Sequence, residues 1–215
     1  MKRIVLVAAV VAACGGSSNI AANRNRAGSG SSTLLVTATA TVTASDTSPS
    51  TNYLVTVKNG QNAGVTGATV SFGAVSLTDA GGGNYTGSST SYPSGDLSLS
   101  VVKGTDQVQG VVLGYPGAHA INAPTVNSTV SAGQPLHVSW TTPSVAQSVT
   151  ITTRDFNAAD VSDTGSYDIA GTDNPARTNQ RVIIVRSNQL DLAGALSGSL
   201  AKVTVTRRVD PFIVN

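Results

Sequence analysis

Residues 34–43 read LLVTATATVT, and the order of those letters limits the fold more than any other stretch of the chain. Val36, Ala38, Ala40 and Val42 fall on one side of an extended backbone, and Thr37, Thr39, Thr41 and Thr43 on the other. Successive side chains of a strand point to opposite faces, so a period of two gives the segment one apolar face and one polar face. A helix, with its period of 3.6, cannot sort that pattern. The alternation returns at Tyr53, Val55 and Val57, at Ala68, Val70 and Phe72, at Leu97, Leu99 and Val101, and at Leu136, Val138 and Trp140. Turn residues part these runs: Asn59-Gly60, Gly81-Gly82-Gly83, Lys103-Gly104 and Gly114-Tyr115-Pro116-Gly117. Strands at this spacing with turns between them predict an all-β chain of sandwich type.

Composition agrees. Charged residues are 11% of the 215, against about 25% in ordinary soluble domains. Every acidic residue is Asp, a turn former, and the chain has no Glu, a helix former. A Ser/Thr-rich chain of this kind could be disordered, but 40% hydrophobic content in period-2 order is enough to build a core. The length leaves room for two domains of about 90 residues.

The first 33 residues are of another kind. Met1-Lys2-Arg3 is a short basic start, and residues 4–13 are an unbroken apolar run. Ten residues are too few to cross a bilayer, which takes about 20, but they suit the core of a signal peptide. The run ends at Val11-Ala12-Ala13 followed by Cys14, the only cysteine. This stretch resembles the lipobox of bacterial lipoproteins, with Val in place of the usual Leu at its first position. The resemblance implies a signal peptide over 1–13 recognised through Val11, Ala12 and Ala13, cleavage before Cys14, and diacylglycerol and acyl chains on Cys14. It further implies a place in the bacterial cell envelope, and Gly15 after the cysteine favours the outer membrane. Several acyl chains hold a protein where one does not, at about 0.8 kcal/mol per buried CH₂. Residues 14–33 then read as the lipidated cysteine and a flexible Gly/Ser/Asn tether, about 20–25 Å between its ends. Removing Lys2 and Arg3 leaves 11 basic and 11 acidic residues, so the mature chain is close to neutral. A neutral chain has little field with which to hold nucleic acid, and none is expected as a partner.

Two folded units are expected, over 34–117 and 118–215. In the first, Val65-Thr66-Gly67-Ala68-Thr69-Val70 and the later Gly83-Asn84-Tyr85 resemble bacterial Ig-like and carboxypeptidase-regulatory-like β-sandwiches. In the second, Leu136-His137-Val138-Ser139-Trp140 with Pro143 resembles the Trp strand of fibronectin type III-like domains, where the Trp packs between sheets. The segment 155–181 departs from that family by its length and its Asp/Asn content. The resemblances imply fold and almost nothing of function.

Chemistry is sparse. His119 and His137 are the only histidines, without partners at ligand spacing, and both are expected at the surface. No zinc-protease, nucleophile-elbow or phosphate-loop motif occurs. The chain reads as a non-enzyme without catalytic residues. The Asp-rich stretch contributes Asp155, Asp160, Asp163 and Asp168 as candidate calcium ligands, since loop carboxylates suit that ion, although turn chemistry explains them as well and Arg177, Arg181, Arg186, Arg207 and Arg208 could face and neutralise them. No cofactor is expected beyond the lipid on Cys14. The reading is a lipid-anchored envelope protein displaying two sandwiches in a structural or binding role, with an envelope protein or glycan as partner. A carbohydrate-binding or adhesion module, using Tyr92, Tyr115 or Tyr167 as a platform, is the alternative. An envelope hydrolase would need two Asp carboxyls about 5–9.5 Å apart in a cleft.

Overall fold

The computed structural model describes residues 24–45 and 47–215. Cys14 and the expected recognition residues Val11, Ala12 and Ala13 lie outside the described residues. Among the described residues the regular structure is strand, with a short 3₁₀ turn at Gly171–Asp173 and no α-helix. The chain is all-β and forms two β-sandwiches.

In the first sandwich, one sheet has β1 (Arg26–Gly30), β9 (Asp106–Leu113), β8 (Leu97–Lys103), β4 (Thr69–Phe72) and β5 (Val75–Ser76), side by side in that order. Facing it are β2 (Leu34–Thr43), β3 (Ser50–Asn59), β7 (Asn84–Ser89) and β6 (Thr78–Gly81). The alternation read in 34–43 holds residue by residue: Val36, Ala38, Ala40 and Val42 are buried, and the threonines face outward or sit at intermediate exposure. The Val65–Val70 and Tyr85 pattern also gains a physical reason. The Tyr85 hydroxyl donates to Val65 O and accepts from Ala68 N, both at 2.8 Å, so a buried ring on β7 pins the chain leading into β4.

The second sandwich sets β10 (Ile121–Ala123), β12 (Leu136–Trp140) and β15 (Ser166–Ile169) against β14 (Asn157–Val161), β13 (Ser148–Thr152), β16 (Arg177–Asp191) and β17 (Leu200–Val214). A short strand β11 (Thr129–Val130) runs parallel to the end of β17. Trp140 lies in this core, as its place on the apolar face of β12 predicts.

The two sandwiches are not independent beads. β16 and β17 are 15 residues each, about 50 Å of strand, and they pass through both units. Val182, Ile184, Val209 and Phe212 fill the second core, while Leu192, Ala201, Val203 and Val205 of the same hairpin fill the first. β17 pairs in parallel with β2 from Leu200↔Thr37 to Thr206↔Thr43, which joins both units into a nine-stranded sheet. The expected boundary between 117 and 118 describes the chain order; in space, residues 190–205 return to the first unit. The physical reason is the open edge of β2. Pairing it satisfies a row of backbone groups and buries three further apolar side chains.

The expected tether over 14–33 is also shorter than its composition indicates. Arg26–Gly30 is strand β1, antiparallel to β9 with Ala27 opposite Val111 and Gly30 opposite Val108. The segment RAGSG has no apolar period, so its strand arises from main-chain pairing. The backbone comes so near its neighbours that a Cβ on Gly30 would collide with the Gln107 and Gly194 carbonyl oxygens. A hairpin shared by two cores should couple their melting. Scanning calorimetry of residues 24–215 should show one transition with calorimetric and van't Hoff enthalpies in agreement, where separable domains would give two.

Candidate functional site

The junction between the sandwiches holds the densest set of buried polar groups. Arg186 lies on the inward row of β16, in phase with Val182 and Ile184, and its side chain is fully enclosed. A lone guanidinium there would be costly, since a buried charge needs a partner and full hydrogen bonding. Asp163, whose side chain is equally enclosed, supplies the partner at 2.5 Å. Arg186 Nη1 donates to Pro116 O at 3.0 Å and to Gly117 O at 3.3 Å, both in the inter-module link. Its Nη2 donates to Ser144 O as well as to the carboxylate.

Asp163 collects further donors: Trp140 Nε1 at 2.8 Å and Ala146 N at 2.7 Å. Burial alone would raise its pKa, but the Arg186 hydrogen bonds together with those from Ala146 and Trp140 outweigh burial and hold it below the ordinary carboxylate value. Next along β16, Asn188 donates to Gly114 O at 2.6 Å and accepts from Gln147 N at 2.8 Å. The start of the described chain reaches the same link. Arg24 donates to Tyr115 O at 2.7 Å and pairs with Asp96 at 2.8 Å, while Asn25 accepts from Gly114 N at 2.7 Å. Asp96 also accepts from Tyr115 N at 3.0 Å.

His119 follows this link and is buried, 3% exposed, rather than at the surface where the sequence places it. Neither ring nitrogen has a well-aligned hydrogen-bond partner, and a weak contact with the Ile184 backbone is the least of the influences on its charge. Burial, then the Arg186 charge, push its pKa down to about 4, with Asp163 opposing. A neutral ring is what a site already holding a guanidinium accepts. His137, by contrast, is exposed on β12 as expected, with its Nδ1 2.6 Å from Asp168 Oδ1 on β15.

The four calcium candidates do not converge. Asp155 binds Arg177 in a bidentate pair at 2.9 and 2.5 Å and accepts from Gln180. Asp160 accepts from Ser148, Asp163 is held by Arg186, and Asp168 pairs with His137. Among the described residues no three His, Cys, Asp or Glu side chains form a group suited to a metal ion. Nor do the tyrosines share a platform. Tyr115 is buried, Tyr92 is half-buried with its hydroxyl donating to Ser45 O, and Tyr167 packs against Phe156 at 5.9 Å. An open groove of about 650 Å³ runs between the units, bordered by Ala44, Ile121, Val126, Ile183, Arg207 and Arg208. Asp210 takes the Arg208 charge.

The junction's chemistry is therefore positional. Its carboxylate, guanidinium and amide groups are occupied with link carbonyls, strand ends and one another. Sequence reading passed over Asn188 and the burial of Arg186, although it counted Arg186 among the arginines that could neutralise the Asp-rich stretch, as it does at Asp163. The signal was present: both share the parity of Val182 and Ile184 on a strand with an inward apolar row.

No protein-family model matches the chain, and no curated protein matches it. Among solved structures it is similar to the fibronectin(III)-like modules of Clostridium thermocellum CbhA, at 15% identity over 80% of this chain and 92% of that one, with a TM-score of 0.28. It is similar to the Yersinia pseudotuberculosis adhesin InvE at 18% identity, over 81% of this chain and 60% of that one, with a TM-score of 0.29. DIP-gamma IG1+IG2 matches at 11% identity over 85% and 98% of the two chains, with a TM-score of 0.26. The fold assignment rests on the strand order and the two cores described above.

Two outcomes follow from the junction. Asp163→Asn leaves Arg186 buried without its counter-charge and should lower the urea-unfolding free energy by about 3–5 kcal/mol. His119 has a folded pKa of about 4 against about 6.5 unfolded, so the unfolded chain takes up the proton first as pH falls. Stability should drop by about 3 kcal/mol between pH 6.5 and 4, and His119→Gln should flatten that slope; below pH 4 the loss passes to Asp163 and the other paired carboxylates.

Proposed function

We propose that this chain is a lipid-anchored bacterial envelope protein that carries two coupled β-sandwiches in a structural or protein-binding role, without catalysis.

 The observation that carries the reading is the placing of the sole cysteine. Cys14 directly follows a ten-residue apolar run that ends in the small residues Ala12 and Ala13, and a Gly/Ser stretch comes after it. A thiol at that position is the nucleophile on which a thioether-linked diacylglycerol is built, and acyl chains there would hold the mature chain at a bilayer. With Gly15 after the cysteine, the outer membrane is the proposed location.

A structural or binding role is supported by how the side chains are used. Asp163, Asp155 and Asp79 each hold neighbouring backbone or side-chain donors, and the shared hairpin makes one stiff body of two sandwiches. An envelope protein is the proposed partner.

The lipid claim has a direct test. Cells expressing the Cys14→Ala variant are fractionated beside the parent, and both are labelled with radioactive palmitate. The parent should sediment with membranes and carry label, while the variant should do neither. A variant that stays membrane-bound as firmly as the parent would overturn the anchor.

A further inference from the structure

The chain that leads from Cys14 enters the folded body at its waist. Arg24 and Asn25 are bound to the inter-module link through Tyr115 O, Asp96 and Gly114 N. From there β1 runs away from the junction, with Arg26 opposite Val112 and Gly30 opposite Val108, and Gly30 lies against Gly194 in the turn of the long hairpin. That turn is the tip of the first unit. The lipidated residue would therefore be joined to the middle of the molecule rather than to either end.

Lengths decide what this does at a membrane. Ten residues separate Cys14 from Arg24, and ten residues fully extended reach about 33–36 Å. The first unit is as long as β2, whose ten residues span about 33 Å from Leu34 at the tip to Thr43 near the junction. The second unit is of similar length, since Arg177 to Arg186 of β16 is again about 33 Å of strand. Standing the molecule upright on either tip would use nearly the whole reach of the connecting segment just to return from the waist. Lying on its side leaves most of that reach unused. Charge does not compete with this constraint, because the mature chain carries 11 basic and 11 acidic residues.

We infer that attachment through Cys14 holds this protein side-on, with the inter-module junction facing the bilayer and both sandwiches lying along it. The partner of this face is a lipid surface, and the opposite long face is left for other envelope components. The inference rests on Cys14 being the lipidated residue, but its test does not.

Residues 14–215 contain a single thiol, so they can be coupled through Cys14 to a maleimide phospholipid in a supported phosphatidylcholine bilayer. Coupling in this way bypasses the cell's own lipidation, so failure of the geometry and failure of the anchor assignment are told apart. Neutron reflectometry then reads the thickness of the protein layer. A side-on molecule gives a layer of about 25–30 Å, the width of five or six strands, whereas an upright one gives about 50 Å or more. A layer thinner than about 40 Å supports the inference and a thicker one overturns it. A second variant, with twenty Gly/Ser residues inserted after Ser18, should give a thicker and more diffuse layer. If it keeps the thin layer, the length of the connecting segment does not set the orientation and the inference fails.

Discussion

One buried ion pair organises the molecule. Arg186 and Asp163 sit where the two sandwiches meet, with both side chains withdrawn from water. A guanidinium has five N–H donors in a planar fork, and here they reach the carboxylate, two carbonyls of the link and one of the loop after β12. The carboxylate in turn binds the indole of the core tryptophan and a backbone N–H. Net energy is not the main product of such a pair, because desolvation offsets much of the Coulomb gain. Its product is geometry. Only one placement of the link satisfies all these donors and acceptors together, so the path between the two units is held at every residue from Gly114 to Gly117.

The long hairpin makes that placement consequential. Domains joined by a link alone normally move against one another. Here β16 and β17 carry the inward rows of two cores on the same two strands, and β17 closes the edge of β2. Bending at the junction would break the ladder between β16 and β17 where Arg186 faces Val205. The ion pair and the hairpin therefore act on the same point: one fixes the link, the other forbids the hinge. The entry of the chain at Arg24 adds a third connection there.

Much of the fold was legible because strands write their faces into the sequence. The alternation at 34–43, at 97–101 and at 136–140 anticipated β2, β8 and β12 and named the buried side of each. β1 was not legible, since RAGSG offers no apolar period and its pairing comes from backbone groups that every residue has. The junction was half legible. Arg186 stands in an apolar row, which marks it as unusual, but nothing local tells that Asp163, 23 residues earlier, is its partner rather than a member of a metal site. His119 was misplaced for the same reason: its burial comes from the packing of two distant units around the link.

The sequence by itself determined that the chain would be all-β, where the strands with an alternating apolar row would run, which of their faces would be apolar, and that its single thiol would follow a signal-like apolar run. These are local properties, set by the two-residue period of an extended chain and the chemistry of adjacent residues. Only the tertiary structure decided that one hairpin serves both sandwiches, that Arg186 and Asp163 meet, and that the chain from Cys14 enters at the waist. Those depend on contacts between residues far apart in sequence, where the energy of burying and pairing a group is shared among segments that carry no mark of one another.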